Sequence, residues 1–324
     1  MPLGVGRSGL WTEIFRFLYC YFMQFESVLG RWGVVTAAEL QRSGVSPHRR
    51  DQWLAQGSLR RVARGVYTFG PDVPAENAWH QKAAIAVASG GPDAALAGRA
   101  AARLWQLDGF DRSTAVEVIV PLRSARRGFH LRRVDSIDAS VVIDGLPAVG
   151  CAQTILDLGT LPHLGPLRPD ELVEAAIESA LRRGIFDGRS LLDHFGGADS
   201  RRAGSRVARQ VVGRRGDGTP ATESFLETRG VQVLRNGGLP AFDRQVELYA
   251  AGGRWLGRVD LYRQGVVLEF DGRAPHDPWF VRDRRRWTAL SAAGYRLAVF
   301  TWTDVWDQPA TVVERATSLL RQAS

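Results

Sequence analysis

The alternation of apolar and polar positions divides the chain into three stretches with different rhythms. In the first, from about Phe25 to Gly70, Val34, Val35 and Thr36 precede a short helical segment at Ala37–Ser43. Thr36 stands as its N-cap and Gly44 as its breaker. Ser46 and Pro47 form a second helix start, a capping hydroxyl followed by proline at the first helical position. The helix predicted there, Pro47–Gln56, carries His48, Arg49, Arg50, Asp51 and Gln52 before Trp53 and Leu54 turn inward, and Gly57 ends it. Leu59–Phe69 alternates apolar and basic residues around Arg64 and Gly65, the pattern of a β-hairpin. Helix, tight turn, helix and hairpin make a winged helix-turn-helix, assigned to 23–75. Residues 1–22 read as a poorly structured extension, or as translation from a start upstream of the true one at Met23.

The second stretch, 76–212, predicts helices at Ala78–Ser89, Gly98–Leu107, Gly150–Leu158, Asp170–Arg183 and Arg189–Phe195. Strands are predicted at Ala115–Pro121, Gly128–Val134 and Ser140–Ile143. This is a mixed α/β region without an evident catalytic cluster. Gly213–Pro220 reads as a linker and places a boundary there. In the third stretch, 213–324, a helix around Glu223–Arg229 is followed by a strand at Arg244–Tyr249 and a hairpin from Trp255–Tyr262 to Gly265–Phe270. A charged helix at Val281–Ala293, a strand at Arg296–Thr301 and a helix at Pro309–Gln322 complete it. The expected fold class is therefore α/β multi-domain, ending in an α/β sandwich around a small mixed sheet.

Composition narrows the partners. The chain has 324 residues, 45% of them hydrophobic, which is ordinary for a globular protein and excludes a disordered one. Two cysteines, Cys20 and Cys151, exclude a disulfide framework or a zinc cluster and fit a reducing cytoplasm. No stretch approaches the roughly 20 apolar residues of a membrane helix, so no membrane partner is expected. Lys+Arg total 42 against 34 Asp+Glu, for a net charge of +8, and Lys82 is the only lysine. Any mechanism that needs a lysine must use Lys82 or do without.

The excess charge is local. Between Gly33 and Gly70 stand Arg42, Arg49, Arg50, Arg60, Arg61 and Arg64 against Glu39 and Asp51. Asp199–Arg215 is a second basic run, whereas 219–324 is close to balanced. DNA is the expected partner of the first patch. His48, Arg49, Arg50 and Gln52 would reach bases or phosphates from the recognition helix, with Arg60, Arg61 and Arg64 along the wing. The bland alternative is a solvated arginine face.

Candidate chemistry lies in the last stretch. Asp260 falls near the end of one hairpin strand and Glu269 near the end of the next, so the turn at Arg263–Gly265 brings the two carboxylates together. Asp271 shares the strand parity of Glu269. Glu223, on the preceding helix, is expected to approach the same face. Glu269 follows the apolar run Val266-Val267-Leu268, which marks a buried strand, and a carboxylate there must be paired, protonated or metal-bound. Oxygen donors in this arrangement suit Mg²⁺ or Mn²⁺, and such an ion would activate water for phosphodiester cleavage.

The segments GRVDL (Gly257–Leu261), VVLEFDGR (Val266–Arg273), His276, DRRRW (Asp283–Trp287) and AAGYRLAVFTWTDV (Ala292–Val305) resemble the very-short-patch-repair (Vsr) endonuclease domain of the PD-(D/E)XK superfamily. TESFLE (Thr222–Glu227) and Gln245 match its first helix and strand. The resemblance covers roughly the last third of the chain. It implies a restriction-endonuclease-like sandwich that cuts DNA with Mg²⁺, with Asp260 and Glu269 at the metal and Glu223 as the helix acid. Asp271, His276 and Asp283 are further matched positions. The superfamily's lysine, two residues after the second acid, is here Asp271. The short-patch-repair branch also lacks that lysine, which leaves His276 as the implied base and Arg273 or Arg284 as charge stabilisers. Arg284, in a run that is partly a solvated face, is also a candidate phosphate contact, while Trp302 and Trp306 are expected to pack in the core or at its rim.

The front of the chain, Val34–Phe69, is similar to the winged helix of AbiEi-type antitoxins, and Ala97–Leu107 with Thr154–Gly159 to the region that follows it there. That resemblance implies a transcriptional repressor and a cognate toxin as a possible partner. Two functions follow, a DNA-binding metal-dependent endonuclease and a non-enzymatic regulator whose nuclease-like domain only binds. An RNA-directed protein is a third, since basic charge does not choose the polymer.

Overall fold

The computed structural model describes residues 30–69, 73–121, 130–134, 137, 140–162, 167–196, 202–216, 218–272 and 280–323. The extension at 1–22, Arg273 and His276 lie outside them. The protein is a mixed α/β chain with three sheets. It divides into two compact units, one holding Met1–Gln106 with Arg112–Thr154, the other Leu107–Asp111 with Ile155–Ser324. No helix among the described residues is long and apolar enough to cross a membrane.

The first unit opens on β1 (Val34–Thr36), which hands over directly to α1 (Ala37–Arg42). The Thr36 hydroxyl accepts from the Glu39 N–H at 3.2 Å, and a Glu39 carboxylate oxygen accepts from the Thr36 N–H at 2.7 Å, so two unpaired donors of the helix start are satisfied. Ser46 caps α2 (Pro47–Ala55) in the expected way, accepting from the Arg49 N–H at 3.2 Å. The hairpin β2 (Leu59–Ala63) and β3 (Val66–Phe69) follows, and β3 pairs on its other side with β1. Val35, Leu40, Val45, Leu59 and Tyr67 are buried between these elements, which leaves α2 with no buried residue.

A five-stranded sheet fills the rest of this unit. Its order is β6-β5-β4-β8-β7, with β4 (Ala95–Ala97), β5 (Glu117–Pro121), β6 (His130–Val134), β7 (Ser140–Ile143) and β8 (Leu146–Val149). The helices α3 (Ala78–Gly90) and α4 (Gly98–Leu104) belong to it. Trp32, Val34 and Val66 share one core with Trp79, Ala83 and Leu96, and the Trp32 indole donates to the Asp144 carbonyl at 2.8 Å. The segments expected to part at residue 75 therefore pack as one body.

The division falls within α5 (Cys151–Leu158), and the second unit continues through α6 (Pro169–Arg182), α7 (Gly188–Phe195), α8 (Ser205–Arg215) and α9 (Phe225–Asn236). The sheet order is β12-β11-β10-β9, built from β9 (Asp243–Tyr249), β10 (Trp255–Arg263), β11 (Val266–Phe270) and β12 (Arg296–Phe300). β11 and β12 are parallel and the other pairs antiparallel. One apolar cluster joins the sheet to α9, α11 (Trp302–Asp307) and α12 (Pro309–Ala323) through Leu226, Leu268, Val305 and Val312. The other joins it to α10 (Phe280–Ala292) through Val259, Val267 and Leu290.

The boundary expected at Gly213 does not coincide with a break in packing. Residues 213–215 are the last turn of α8, with Arg214 on Asp170 at 3.1 Å and Arg215 on Glu178 at 3.2 Å. Helix α6 presents three buried acids at helical spacing, and each meets an arginine of the following segment. Glu171 holds Arg229 at 2.8 Å, Glu174 holds Arg235 through two bonds of 2.7 Å, and Glu178 holds Arg244 at 2.7 Å. A paired buried charge is strongly destabilising to break, so these bonds fix α9 and β9 onto α6.

Candidate active site

Register sets the two central carboxylates. Leu261 pairs with Leu268 in the antiparallel β10–β11 ladder, and the next step along it places Asp260 opposite Glu269. An Asp260 oxygen accepts from the Phe270 N–H at 2.8 Å. Every residue of β11 is buried because β10 and β12 flank it and helices cover it, and Glu269 keeps only 4% of its surface exposed. One Glu269 oxygen, Oε2, accepts from Arg286 of α10 at 2.9 Å. The other, Oε1, is buried without a hydrogen-bond partner among the described residues.

Of the two acids at this end of the cleft, Glu227 stands on α9 and Glu223 does not, although both line the cleft. The capping residue of α9 is Ser224, which accepts from the Glu227 N–H at 3.1 Å, so Glu223 precedes the helix. Glu223 is half exposed and pairs with Arg258. Glu227, one turn further on, is 5% exposed, and its carboxylate accepts from the Glu223 N–H at 2.7 Å and from Gln245 at 2.9 Å. The sequence offered a signal for this placement, since Ser224-x-x-Glu227 is a helix-start pattern that puts the cap one residue after Glu223. Thr222 anchors the approach. Its N–H donates to Glu178 at 3.1 Å, and its carbonyl accepts from Arg182 at 2.6 Å.

Burial and mutual repulsion push all three inner acids up. The Glu269 carboxyl rises to about 8, first because it is desolvated and then because Asp260 faces it, with Arg286 acting in the opposite direction. Glu227 rises to about 7 for the same two leading reasons. Asp260 rises to about 6 through desolvation, opposed by the Phe270 N–H and Arg286. Three acids that repel one another at the floor of a cleft favour an added cation.

These groups line an 820 Å³ cleft, together with Asp271, Asp283 and Trp302. Asp271 lies just past the end of β11, where its N–H donates to the Phe300 carbonyl at 2.8 Å. Trp302 sits at the rim, 40% exposed, with its ring edge against Phe225. Arg284 is exposed on α10 beside Val281, Arg285 and Thr288 and does not line the cleft. Three other arginines line the cleft, Arg258, Arg282 and Arg286, and Arg286, two positions along α10 from Arg284, is the one bonded to Glu269.

Among the described residues, no three His, Cys, Asp or Glu side chains converge as a metal-ligating group. The donor set nevertheless suits a hard divalent ion. Two facing carboxylates, one with an orphaned buried oxygen, match the one or two protein carboxylates that Mg²⁺ takes alongside substrate phosphate.

In the first unit, Arg49, Gln52, Arg60, Arg61 and Arg64 are exposed as expected. Arg50 is half-buried and bonded to Asp51 at 2.8 Å, and Arg49 lies over the Trp53 ring at 5.7 Å. Comparison with known proteins adds no relative, for no protein-family model and no curated protein matches the chain.

Proposed function

We propose that the protein binds DNA and hydrolyses its phosphodiester bonds with a divalent cation, Mg²⁺ or Mn²⁺, held by Asp260 and Glu269. The observation that carries this is the pair itself, a half-buried and a fully buried carboxylate side by side at the floor of an open cleft, the buried one with an unpartnered oxygen. A bound ion would lower the proton affinity of water and neutralise charge on the phosphate. Asp260 is held by the Phe270 N–H and Glu269 by Arg286, so both carboxylates are set before substrate arrives. Glu227 braces the wall, tying the Glu223 backbone to Gln245 of β9. In the reaction a water oxygen attacks phosphorus, the P–O bond to one sugar breaks, and the leaving oxygen takes up a proton. His276 remains the proposed base, on the Vsr resemblance. The first unit supplies duplex affinity as a winged helix-turn-helix, with Arg49, Arg50 and Gln52 on the recognition helix and Arg60, Arg61 and Arg64 on the wing.

The deciding assay incubates plasmid, oligonucleotide DNA and RNA with Mg²⁺, Mn²⁺ or EDTA, beside Asp260→Ala and Glu269→Ala. We expect cleavage of DNA that EDTA and both variants abolish. Cleavage in EDTA, or equal cleavage by the variants, sinks the proposed site. Binding without cleavage would select the second reading, an AbiEi-like regulator with an inactive nuclease-like domain and a toxin partner. The aspartate at the lysine position favours that reading.

A further inference from the structure

We infer that Arg286 is the working cation of this cleft, orienting Glu269 and binding the phosphate under attack. The inference rests on the nuclease reading. The chain's single lysine, Lys82, belongs to the first unit, and position 271 carries an acid, so the cleft has no lysine of its own. Arg258, on the rim, is engaged by Glu223. Arg286 reaches the buried acids instead. One of its terminal nitrogens, Nη2, donates to Glu269 Oε2 at 2.9 Å, and the other, Nη1, donates to the Arg258 carbonyl. Asp283, one turn back on α10, stands 3.8 Å away.

This contact divides the two oxygens of Glu269. Oε2 is taken by the guanidinium, which leaves the buried Oε1 for a cation. A guanidinium has five N–H donors in a flat fork, and a carboxylate oxygen and a carbonyl use two of them. The remainder suit the oxygens of a phosphate, a partner that the fork matches in shape as well as charge. A single arginine can thus hold the metal-side acid and the substrate together, which a lysine with its compact charge does less well.

The fold makes a passage for this side chain. A Cβ on Gly257 would stand 2.8 Å from Arg286 Cδ, and Gly257 has φ +144°. The glycine thus lets the arginine stem cross β10. Leu290, four residues further along α10 and fully buried, turns the same helix face to the sheet.

Three substitutions, Arg286→Ala, Arg286→Gln and Arg286→Lys, test this in the full chain. We expect Arg286→Ala to lower kcat for DNA cleavage by about 10²–10³, the usual effect of removing one preorganised donor. Arg286→Lys should keep more activity than the alanine variant, and added methylguanidinium should restore part of the alanine variant's rate. Gly257→Ala should act as a weaker copy by crowding the stem. A second readout needs no turnover, namely Mn²⁺ binding by calorimetry at pH 7.5. An ion of charge +2 is repelled by Arg286 about twice as strongly as a proton is, so Arg286→Gln should bind Mn²⁺ about tenfold more tightly. Slower cleavage with tighter Mn²⁺ binding is a pair of changes that a misfolded variant does not produce. Wild-type turnover in Arg286→Ala, absence of guanidinium rescue, or unchanged or weaker Mn²⁺ binding in Arg286→Gln overturns the assignment. If Asp260→Asn and Glu269→Gln cleave like the wild type, the nuclease reading falls instead. The phosphate role falls with it, and the Mn²⁺ measurement alone then decides whether Arg286 is the counter-ion of Glu269.

Discussion

At the scale of single residues the cleft is held against its own chemistry. Glu227, Asp260 and Glu269 bind protons at about 7, 6 and 8, above the ordinary carboxylate range. The folded chain therefore holds more protons than the unfolded one over this window, and folding stability falls as pH rises from about 4 through about 8. Every tenfold gain in the proton affinity of Asp260 on folding corresponds to about 1.4 kcal/mol between its two protonation states. Asp260→Asn removes the charge and keeps an oxygen for the Phe270 N–H. In EDTA this variant should melt about 2–4 °C above the wild type at pH 8 and close to it at pH 5, read by thermal unfolding. A variant that melts lower at pH 8 would show that the carboxylates are not in conflict. Adding Mg²⁺ should raise the wild-type midpoint at pH 8 and leave that of Asp260→Asn nearly unchanged.

At the scale of elements, what the sequence made legible depended on how local the deciding contacts were. The hairpin around Gly265 was readable because an apolar run, a turn and a second run are adjacent in the chain. The starts of α1 and α2 were readable because their caps are local too. The strands β4 and β8 escaped, being only three and four residues long, alanine-rich or interrupted by Pro147. Helix α11 escaped because Trp302–Asp307 is short and half polar, and it is held by a Thr301–Asp304 capping box. Arg214 and Arg215, at the start of the stretch that reads as a linker, spend their charges on α6 instead. Charge alone does not reveal a partner that lies 37 or more residues away. Glu178 shows what such a partner contributes. Its side chain is 2% exposed and holds Arg215, Arg244 and the Thr222 N–H. Glu178→Ala leaves two arginines without their acid and should cost about 3–5 kcal/mol, as breaking a buried pair does. Denaturant unfolding of the full chain measures this, and a loss below about 1 kcal/mol would mean that the arginines find other partners. On the first unit, Arg49→Ala/Arg50→Ala should weaken duplex binding and flatten its salt dependence by one to two phosphate contacts. Anisotropy titrations at several salt concentrations check this, and an unchanged slope removes α2 from the proposed interface.

At the scale of the whole molecule, the sequence and the packing disagree on where the last domain begins. Composition puts the boundary at Gly213, where glycine and arginine replace apolar periodicity. Packing places it near residue 155, because α6 and α8 belong with the C-terminal sheet. The difference has an energetic basis. A chain cut at 213 keeps Arg229, which is 7% exposed, but loses the Glu171 that compensates it. It also loses Glu174 and Glu178, the partners of Arg235 and Arg244, and uncovers Gln232, which is fully buried and donates to the Glu171 carbonyl at 3.0 Å. Unpaired cations and unsatisfied amides at a former interior surface are among the costlier defects a small domain can carry. The acid cluster would suffer with them, since Thr222, the residue that leads into Glu223 and α9, is gripped by Glu178 and Arg182. We therefore expect a 155–324 fragment to unfold cooperatively and to give a dispersed amide NMR spectrum. The 213–324 fragment should give a broad transition, collapsed amide dispersion and no divalent-cation binding. If the shorter fragment melts as sharply as the longer one and binds Mn²⁺ equally well, the helices before Gly213 are a separate module, and the site owes its geometry to the last third of the chain alone.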